Sequence, residues 1–121
     1  MRNAEPVAAG QWTGVVERPE PFRVEIRPDR ERVLVAPHGE LDLATVDQVA
    51  AKIDDLVARR FDAIVIDLRA TTFLDSTGLC LLLRQTARTD AHVTVIDGCA
   101  AVSRLFDLAG VRHALPFEAV R

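Results

Sequence analysis

One short segment of the sequence places carboxylate and hydroxyl side chains where a helix is predicted to begin. Residues 73–79 follow an apolar run typical of a buried strand and precede a leucine-rich run typical of a buried helix. Asp75 or Ser76 could cap that helix by accepting hydrogen bonds from its first free amides. A serine hydroxyl at this position would be exposed beside a helix end that favours anions, which makes Ser76 a candidate phosphorylation site.

The same residues also have a purely structural interpretation, because most Asp-Ser pairs at a helix start are only caps. Gly78 would let a neighbouring segment approach the first helical turn closely, since it has no side chain. Thr77 supplies a second hydroxyl directly after Ser76, and the motif leaves open which of the two would be modified. The candidate surface at this segment consists of Asp75, Ser76, Thr77, Gly78 and Leu79.

A second candidate segment is predicted to be the loop between the second strand and the first helix. It is formed by Gly39, Glu40, Leu41 and Asp42. Gly39 suits a tight turn and Asp42 suits an N-cap, so a connecting loop is the simplest interpretation. In a βαβ arrangement, however, this loop can lie at the same end of the sheet as Ser76. The two segments could then form one exposed face for a partner.

Motifs of the common enzyme classes are absent from the sequence. It contains no P-loop, dinucleotide-binding, zinc-protease or nucleophile-elbow motif, and no Cys/His group has metal-ligand spacing. We therefore expect no cofactor, and no such motif indicates a catalytic site. An enzyme that uses Ser76 as a nucleophile remains the alternative from a different class, but no histidine occupies a recognisable base position.

Composition narrows the class of protein further. The 121 residues are 49% hydrophobic and carry a net charge of −3, which indicates one globular domain without a basic surface for nucleic acid. Cys80 and Cys99 lie in apolar helical patterns and form no CxxC pair, so they are interpreted as reduced, buried thiols. The N-terminus lacks the apolar core of a signal peptide, and no apolar run approaches the ~20 residues of a membrane span. We expect a soluble, cytoplasmic protein.

The pattern of apolar residues predicts an α/β fold. The predicted elements are strands over 22–27 and 33–36, a helix over 44–60, a strand over 63–68, a helix over 76–88, a strand over 92–96, a helix over 100–109 and a last strand over 114–117. This order, β-β-α-β-α-β-α-β, predicts a mixed β-sheet with an antiparallel hairpin at its start and helices packed on it. Thr45 and Gln48 fit a capping box on the first helix, with Asp42 as a rival N-cap. Gly110 stands where a helix-ending glycine is expected.

The chain divides into two predicted parts. Residues 1–20 contain several Pro and Gly and little periodicity, so they are predicted to be a flexible N-terminal extension. Within it, the apolar segment 12–16 could dock back on the domain. Residues 21–121 form the predicted domain.

Four segments together resemble bacterial anti-sigma factor antagonists of the STAS class. They are residues 39–42, 64–68, 73–79 and 102–110. Each segment alone is modest, but all four in this order and spacing make a specific match that spans residues 22–117. The resemblance implies a STAS-like mixed β-sheet for the domain.

The resemblance also implies a function. In that family the serine after the motif aspartate, here Ser76, is phosphorylated by the anti-sigma factor, which is itself a serine kinase. The unmodified antagonist binds that kinase and frees the sigma factor, and a serine phosphatase restores the phosphorylated form. The aspartate that matches Asp42 belongs to the docking surface. The chain would thus be a monomeric or weakly dimeric kinase substrate and ligand.

Two features depart from the family pattern, and one rival function shares the fold. Family members commonly end in a further helix, for which the residues after 117 are too few, and residues 1–20 are a longer extension than usual. The rival is a constitutive STAS scaffold of a stressosome-like or lipid-transport assembly. Such a scaffold would oligomerise, and its binding would not depend on phosphorylation.

Overall fold

The computed structural model describes residues 21–118. The predicted flexible extension, residues 1–20, and residues 119–121 lie outside the described residues, so the nature of the extension stays a prediction. The strands are β1 (Arg23–Asp29), β2 (Arg32–Leu41), β3 (Ala63–Asp67), β4 (Thr71–Leu74) and β5 (His92–Ile96). The helices are α1 (Val46–Ala58), α2 (Ser76–Thr86) and α3 (Ala100–Ala109), followed by a short 3-10 helix (Arg112–Ala114).

The strands form one mixed sheet. Its order is β1-β2-β3-β5, with β4 paired to the end of β2. The first two strands are antiparallel, while β2, β3 and β5 run parallel and β4 runs parallel to β2. The predicted mixed α/β sheet with an antiparallel hairpin at its start is therefore confirmed.

The main core lies between one face of the sheet and the three helices. Helical spacing on α1 turns Val49 and Ile53 inward, and both are fully buried. Alternation along the strands turns Val33 and Val35 to the same side. Each large apolar side chain buried in this way contributes about 1.5–3 kcal/mol relative to leaving it in water.

The order of elements differs from the prediction in two places. Residues 71–74 form the additional strand β4, which is too short to show an alternation in the sequence. It is fixed by the buried Thr71, whose hydroxyl donates to the carbonyl of Pro37 at 2.9 Å. The predicted strand over 114–117 is wrong, because only Phe117 forms an isolated parallel bridge, with Val95 at the edge of the sheet.

The prediction of a loop over residues 39–42 is also wrong, because residues 39–41 belong to strand β2. Strand β2 continues to Leu41 and changes its partner from β3 to β4. The register shifts between Gly39 and Glu40, and Gly39 has a φ of 110°, a backbone conformation that other residues rarely adopt. Only Asp42, directly after the strand, lies in a turn.

Neither of the two predicted N-caps of α1 makes a side-chain hydrogen bond to the helix. Thr45 precedes the helix, but its hydroxyl donates to the carbonyl of Glu40 at 2.7 Å and accepts from the amide of Asp42 at 2.9 Å. The carboxylate of Asp42 accepts from the amide of Ala44 at 3.0 Å, ahead of the helix. These bonds fold the turn back on the end of β2, so neither predicted cap forms.

Two other predictions have clear outcomes. Gly110 ends α3 with a φ of 69° in the left-handed region, as expected for a helix-ending glycine. The expectation of buried thiols is wrong, because Cys80 and Cys99 are both free and exposed. Within residues 21–118, no helix has the length and apolar character needed to cross a bilayer.

Candidate functional site

The two candidate segments lie side by side, as their position at one end of the sheet predicted. Strand β4 brings them together, because it pairs Phe73 with Glu40 and Leu74 with Leu41. Just beyond this pairing, the amide of Asp75 donates to the carbonyl of Leu41 at 3.4 Å. The turn after β2 and the first turn of α2 therefore share one surface.

The close approach of these two segments requires a glycine at position 78. A β-carbon at position 78 would lie 2.5 Å from Cδ1 of Leu74 and 2.6 Å from the carbonyl oxygen of Leu41. Neither distance is compatible with a side chain, so the predicted role of Gly78 in allowing close approach is confirmed.

Asp75 is the N-cap of α2. Its Oδ1 accepts hydrogen bonds from the amide of Gly78 at 2.9 Å and from the hydroxyl of Thr77 at 2.5 Å. The hydroxyl of Thr77, followed by the amide of Gly78, holds the pKa of Asp75 below its usual value, and the amide of Leu43 adds to this effect. The carboxylate is therefore ionised at neutral pH and linked to both segments.

The geometry distinguishes the two neighbouring hydroxyls. Ser76 is the first residue of α2, its side chain is exposed, and its hydroxyl has no hydrogen-bond partner within the described part of the chain. Thr77 is half-buried, and its hydroxyl is engaged with Asp75. The hydroxyl of Ser76 is thus the more accessible of the two.

Two exposed apolar side chains lie in the segments that form this site, Leu43 in the turn after β2 and Phe73 in β4. Leu43 is 75% exposed and Phe73 is 48% exposed. We call the surface they share with the polar residues the serine face. It consists of Glu40, Asp42, Leu43, Phe73, Asp75 and Ser76.

The serine face is acidic. It carries the carboxylates of Glu40, Asp42 and Asp75, and the sequence has no Lys or Arg in residues 39–45 or 73–80. A partner that packs here would meet apolar side chains and negative charge together.

The prediction that Leu41 and Gly78 bind a partner is wrong, because both residues are buried. Leu41 is 0% exposed and Gly78 is buried, so their side-chain positions cannot touch a partner. They position the serine face from below. Gly39 and Leu79 are half-buried at its margin, and Leu79 packs partly against the main core.

Leu43 and Phe73 were missed because their sequence context concealed them. Phe73 lies in the first candidate segment, residues 73–79, but it was not among the predicted partner-binding residues, because its apolar neighbours do not indicate whether it is exposed. Leu43 directly follows the second candidate segment, and no local pattern indicates that its side chain is exposed.

The site offers an exposed hydroxyl, an ionised carboxylate and apolar contacts. Within residues 21–118, no cluster of three or more His, Cys, Asp or Glu side chains could hold a metal ion. His38 is engaged elsewhere, since its Nε2 lies 2.7 Å from Glu25 on β1. This arrangement suits a surface that is recognised and modified by another protein.

Comparisons with known proteins relate this chain to STAS domains and to anti-sigma factor antagonists. The model of the STAS domain family matches residues 22–120. The anti-sigma F factor antagonist of Paenibacillus polymyxa is 31% identical over 99 residues, which cover 78% of this chain and 85% of that protein.

Solved structures agree with this match. The crystal structure of an anti-sigma factor antagonist from Mycobacterium paratuberculosis is 25% identical, with a TM-score of 0.71, and the match covers 87% of this chain and 92% of that chain. The anti-sigma factor antagonist SpoIIAA in its unphosphorylated form shares the fold at 23% identity, with a TM-score of 0.62 and coverage of 82% and 89%.

Proposed function

The chain belongs to the STAS domain family, and we propose that it is an anti-sigma factor antagonist switched by phosphorylation of Ser76. In the unmodified form it binds an anti-sigma factor that is a serine kinase, and the sigma factor is released. Phosphate on Ser76 ends this binding, and a serine phosphatase restores it. The observation that supports the proposal is the exposed hydroxyl of Ser76 in the serine face, which has no hydrogen-bond partner among residues 21–118.

The composition of the serine face suits a protein partner. Burial of Leu43 and Phe73 would supply affinity, at roughly 25 cal/mol for each Å² of apolar surface removed from water. The carboxylates of Glu40 and Asp42 favour a partner with basic side chains facing them, which sets the orientation of the complex. The chain itself contributes the acceptor hydroxyl and the docking surface, and the catalytic groups belong to the kinase.

Phosphate at Ser76 would oppose binding for a physical reason. It adds about −1.5 to −2 charges at pH 7, and in the free chain water solvates them. In the complex this charge would be desolvated in an interface that also buries Leu43 and Phe73, next in sequence to the ionised Asp75. A loss of about 3 kcal/mol of binding free energy would lower affinity about a hundredfold.

The test is phosphorylation by the cognate kinase with Mg-ATP. The chain contains two serines, Ser76 and Ser103, and trypsin isolates Ser76 in the peptide 70–84. We expect one phosphate, on Ser76, and none in Ser76→Ala. Ser103→Ala is the matched control and should be phosphorylated as the wild type is. Phosphate mainly on Thr77, or unchanged incorporation in Ser76→Ala, would contradict the assignment.

Binding separates this proposal from the scaffold alternative. The unmodified chain should bind the kinase, and the phosphorylated chain should bind it about a hundredfold more weakly. A constitutive scaffold would bind its partner equally well in both forms and would elute as a large oligomer on its own.

A further inference from the structure

The sheet carries a second apolar surface, on the face opposite the helices. Leu34, Val65 and Ile96 form a cluster there that is separate from the main core, and we call it the open-face cluster. Within residues 21–118, the buried apolar side chains of α1, α2 and α3 belong to the main core and not to this cluster. The three side chains are nevertheless only 6%, 1% and 4% exposed, so a covering other than these helices is needed.

Charged groups border the open-face cluster on the β1 side and at the carboxyl end of β3. Arg27 lies directly opposite Leu34 in the β1–β2 pairing, and its guanidinium donates to the buried Asp67 at 2.9 Å. Arg69 donates to the same carboxylate at 2.8 Å. The side chains of Arg27 and Arg69 are 47% and 46% exposed, so about half of each faces outward instead of covering the apolar centre.

A second group of polar side chains borders the cluster on the β5 side. The hydroxyl of Thr94, next to Val65 in the β3–β5 pairing, donates to Glu118 at 2.5 Å, and Arg32 pairs with the same carboxylate. The surface is thus apolar in the middle and polar at its edges. That pattern suits an amphipathic aromatic side chain better than a purely aliphatic one.

We propose that the segment around Trp12 packs over the open-face cluster of its own chain. The residues outside the described part are 1–20 and 119–121. The latter offer only Val120 as a large apolar side chain, whereas the former contain Trp12, Val15 and Val16. A buried tryptophan covers about 150–250 Å², an area that matches three neighbouring aliphatic side chains.

The chain length allows this contact. Trp12 precedes Phe22 by ten residues, which extend to at most about 33 Å at ~3.3 Å per residue. The described chain begins beside β1, and from this strand to β5 there are three strand spacings, or roughly 15 Å. The guanidinium of Arg27 at the border also offers a cation to the face of the indole ring.

The experiment uses the full chain, because Trp12 is its only tryptophan and reports directly on the contact. We expect a blue-shifted emission maximum and several-fold weaker acrylamide quenching than in a free peptide of residues 1–20. We also expect nuclear Overhauser effects between the indole of Trp12 and the methyl groups of Leu34, Val65 or Ile96. Leu34→Ser should raise quenching towards the peptide value, while Val33→Ala, on the helical face of the same strand, should not.

Three other outcomes can be distinguished in these experiments, and each would contradict the proposal. Quenching equal to that of the peptide, with no indole contacts to these methyl groups, would show that Trp12 remains in water. Contacts from Val120 in place of Trp12 would assign the cover to the other end of the chain. Indole contacts that appear only between differently labelled molecules would identify a second copy as the occupant.

Discussion

The carbonyl oxygen of Leu41 lies only 2.6 Å from the position that a β-carbon on Gly78 would occupy. This closeness joins the end of β2 to the first turn of α2 and fixes the distance between Asp42 and Ser76, which belong to different elements. The same contact explains why position 78 lacks a side chain. The serine face therefore depends on a residue that cannot itself touch a partner.

Replacing Gly78 with alanine should separate the two segments. We expect Gly78→Ala to lower the free energy of unfolding by about 1–3 kcal/mol, because the new methyl group overlaps Leu74 and the backbone of Leu41. Kinase binding should weaken as well, since the serine face is displaced. Chemical denaturation and titration calorimetry measure the two effects.

The matched control for that change is Gly110→Ala. Among the described residues, no neighbouring atom lies within 4 Å of the place that a β-carbon on Gly110 would occupy, but the φ of this residue is +69°. The cost of Gly110→Ala should be limited to the left-handed backbone, about 1–2 kcal/mol, without an effect on binding. If Gly78→Ala binds the kinase as tightly as wild type does, the close approach is not needed for the docking surface.

A second prediction concerns the buried carboxylate of Asp67. Burial raises its pKa, but hydrogen bonds from the side chain and backbone of Arg69, and the charges of Arg69 and Arg27, outweigh this and leave the pKa below its usual value. Arg69→Met should destabilise the fold by roughly 1–3 kcal/mol, because a carboxylate that is 2% exposed loses its main partner. Arg59→Met removes the exposed pair with Asp55 and should cost no more than about 0.5 kcal/mol.

The pH dependence follows from the direction of that shift. A carboxyl whose pKa is lowered by folding adds stability above its unfolded value of about 3.9, and this stability is lost as the pH falls through the lower folded value. In Arg69→Met, the side chain of Arg69 no longer offsets the effect of burial on Asp67. The pKa of Asp67 should therefore rise, and acid unfolding should begin at a higher pH. Thermal melts between pH 3 and pH 7 test this, and equal acid sensitivity in Arg69→Met and Arg59→Met would contradict it.

Sequence patterns predicted the elements with strong periodicity and missed those fixed by tertiary contacts. The strand over 92–96 and the helix over 100–109 agree with β5 and α3, because each has a clear apolar pattern and α3 ends at a glycine. Strand β4 was missed because its pairing depends on Thr71 reaching the carbonyl of Pro37, a contact between residues 34 positions apart. No local pattern encodes such a contact.

In the candidate site, too, features set by local sequence were predicted and features set by tertiary contacts were missed. Ser76 and Asp75 could be found from their place at a predicted helix start, since capping is a local property. Leu43 and Phe73 could not, because their exposure depends on how β4 packs beside β2. Burial of Leu41 likewise follows from the extension of β2 beyond its predicted end.

The third prediction separates docking from folding at Asp42. Asp42→Asn should weaken kinase binding, because it removes a charge from the serine face. It should barely change stability, since an asparagine oxygen can still accept from the amide of Ala44. Asp47→Asn, on the exposed surface of α1, is the matched control and should leave binding unchanged. A large drop in melting temperature, or unchanged affinity, would make Asp42 merely structural.

The last prediction is that phosphorylation of Ser76 acts locally and does not refold the domain. A negative group at the helix N-terminus gains about 0.3–1 kcal/mol from the helix dipole, and repulsion from the ionised Asp75 opposes this gain. The helix itself is held by Leu81 and Leu82, both 0% exposed, at about 1.5–3 kcal/mol each. A surface phosphate does not touch these side chains, so the fold of α2 should persist.

Amide NMR spectra of the two forms test this local mechanism. We expect shifts confined to residues 75–79 and 39–43, which are joined by the bond from the amide of Asp75 to the carbonyl of Leu41. Ser76→Asp should reproduce the shifts and the loss of binding only partly, because it carries less charge and fewer acceptor oxygens than phosphoserine. Shifts that extend along α1 and across β3 and β5 would instead indicate a conformational switch. In that case the loss of binding would come from a rearranged sheet, and desolvation of the phosphate at the serine face would not explain it.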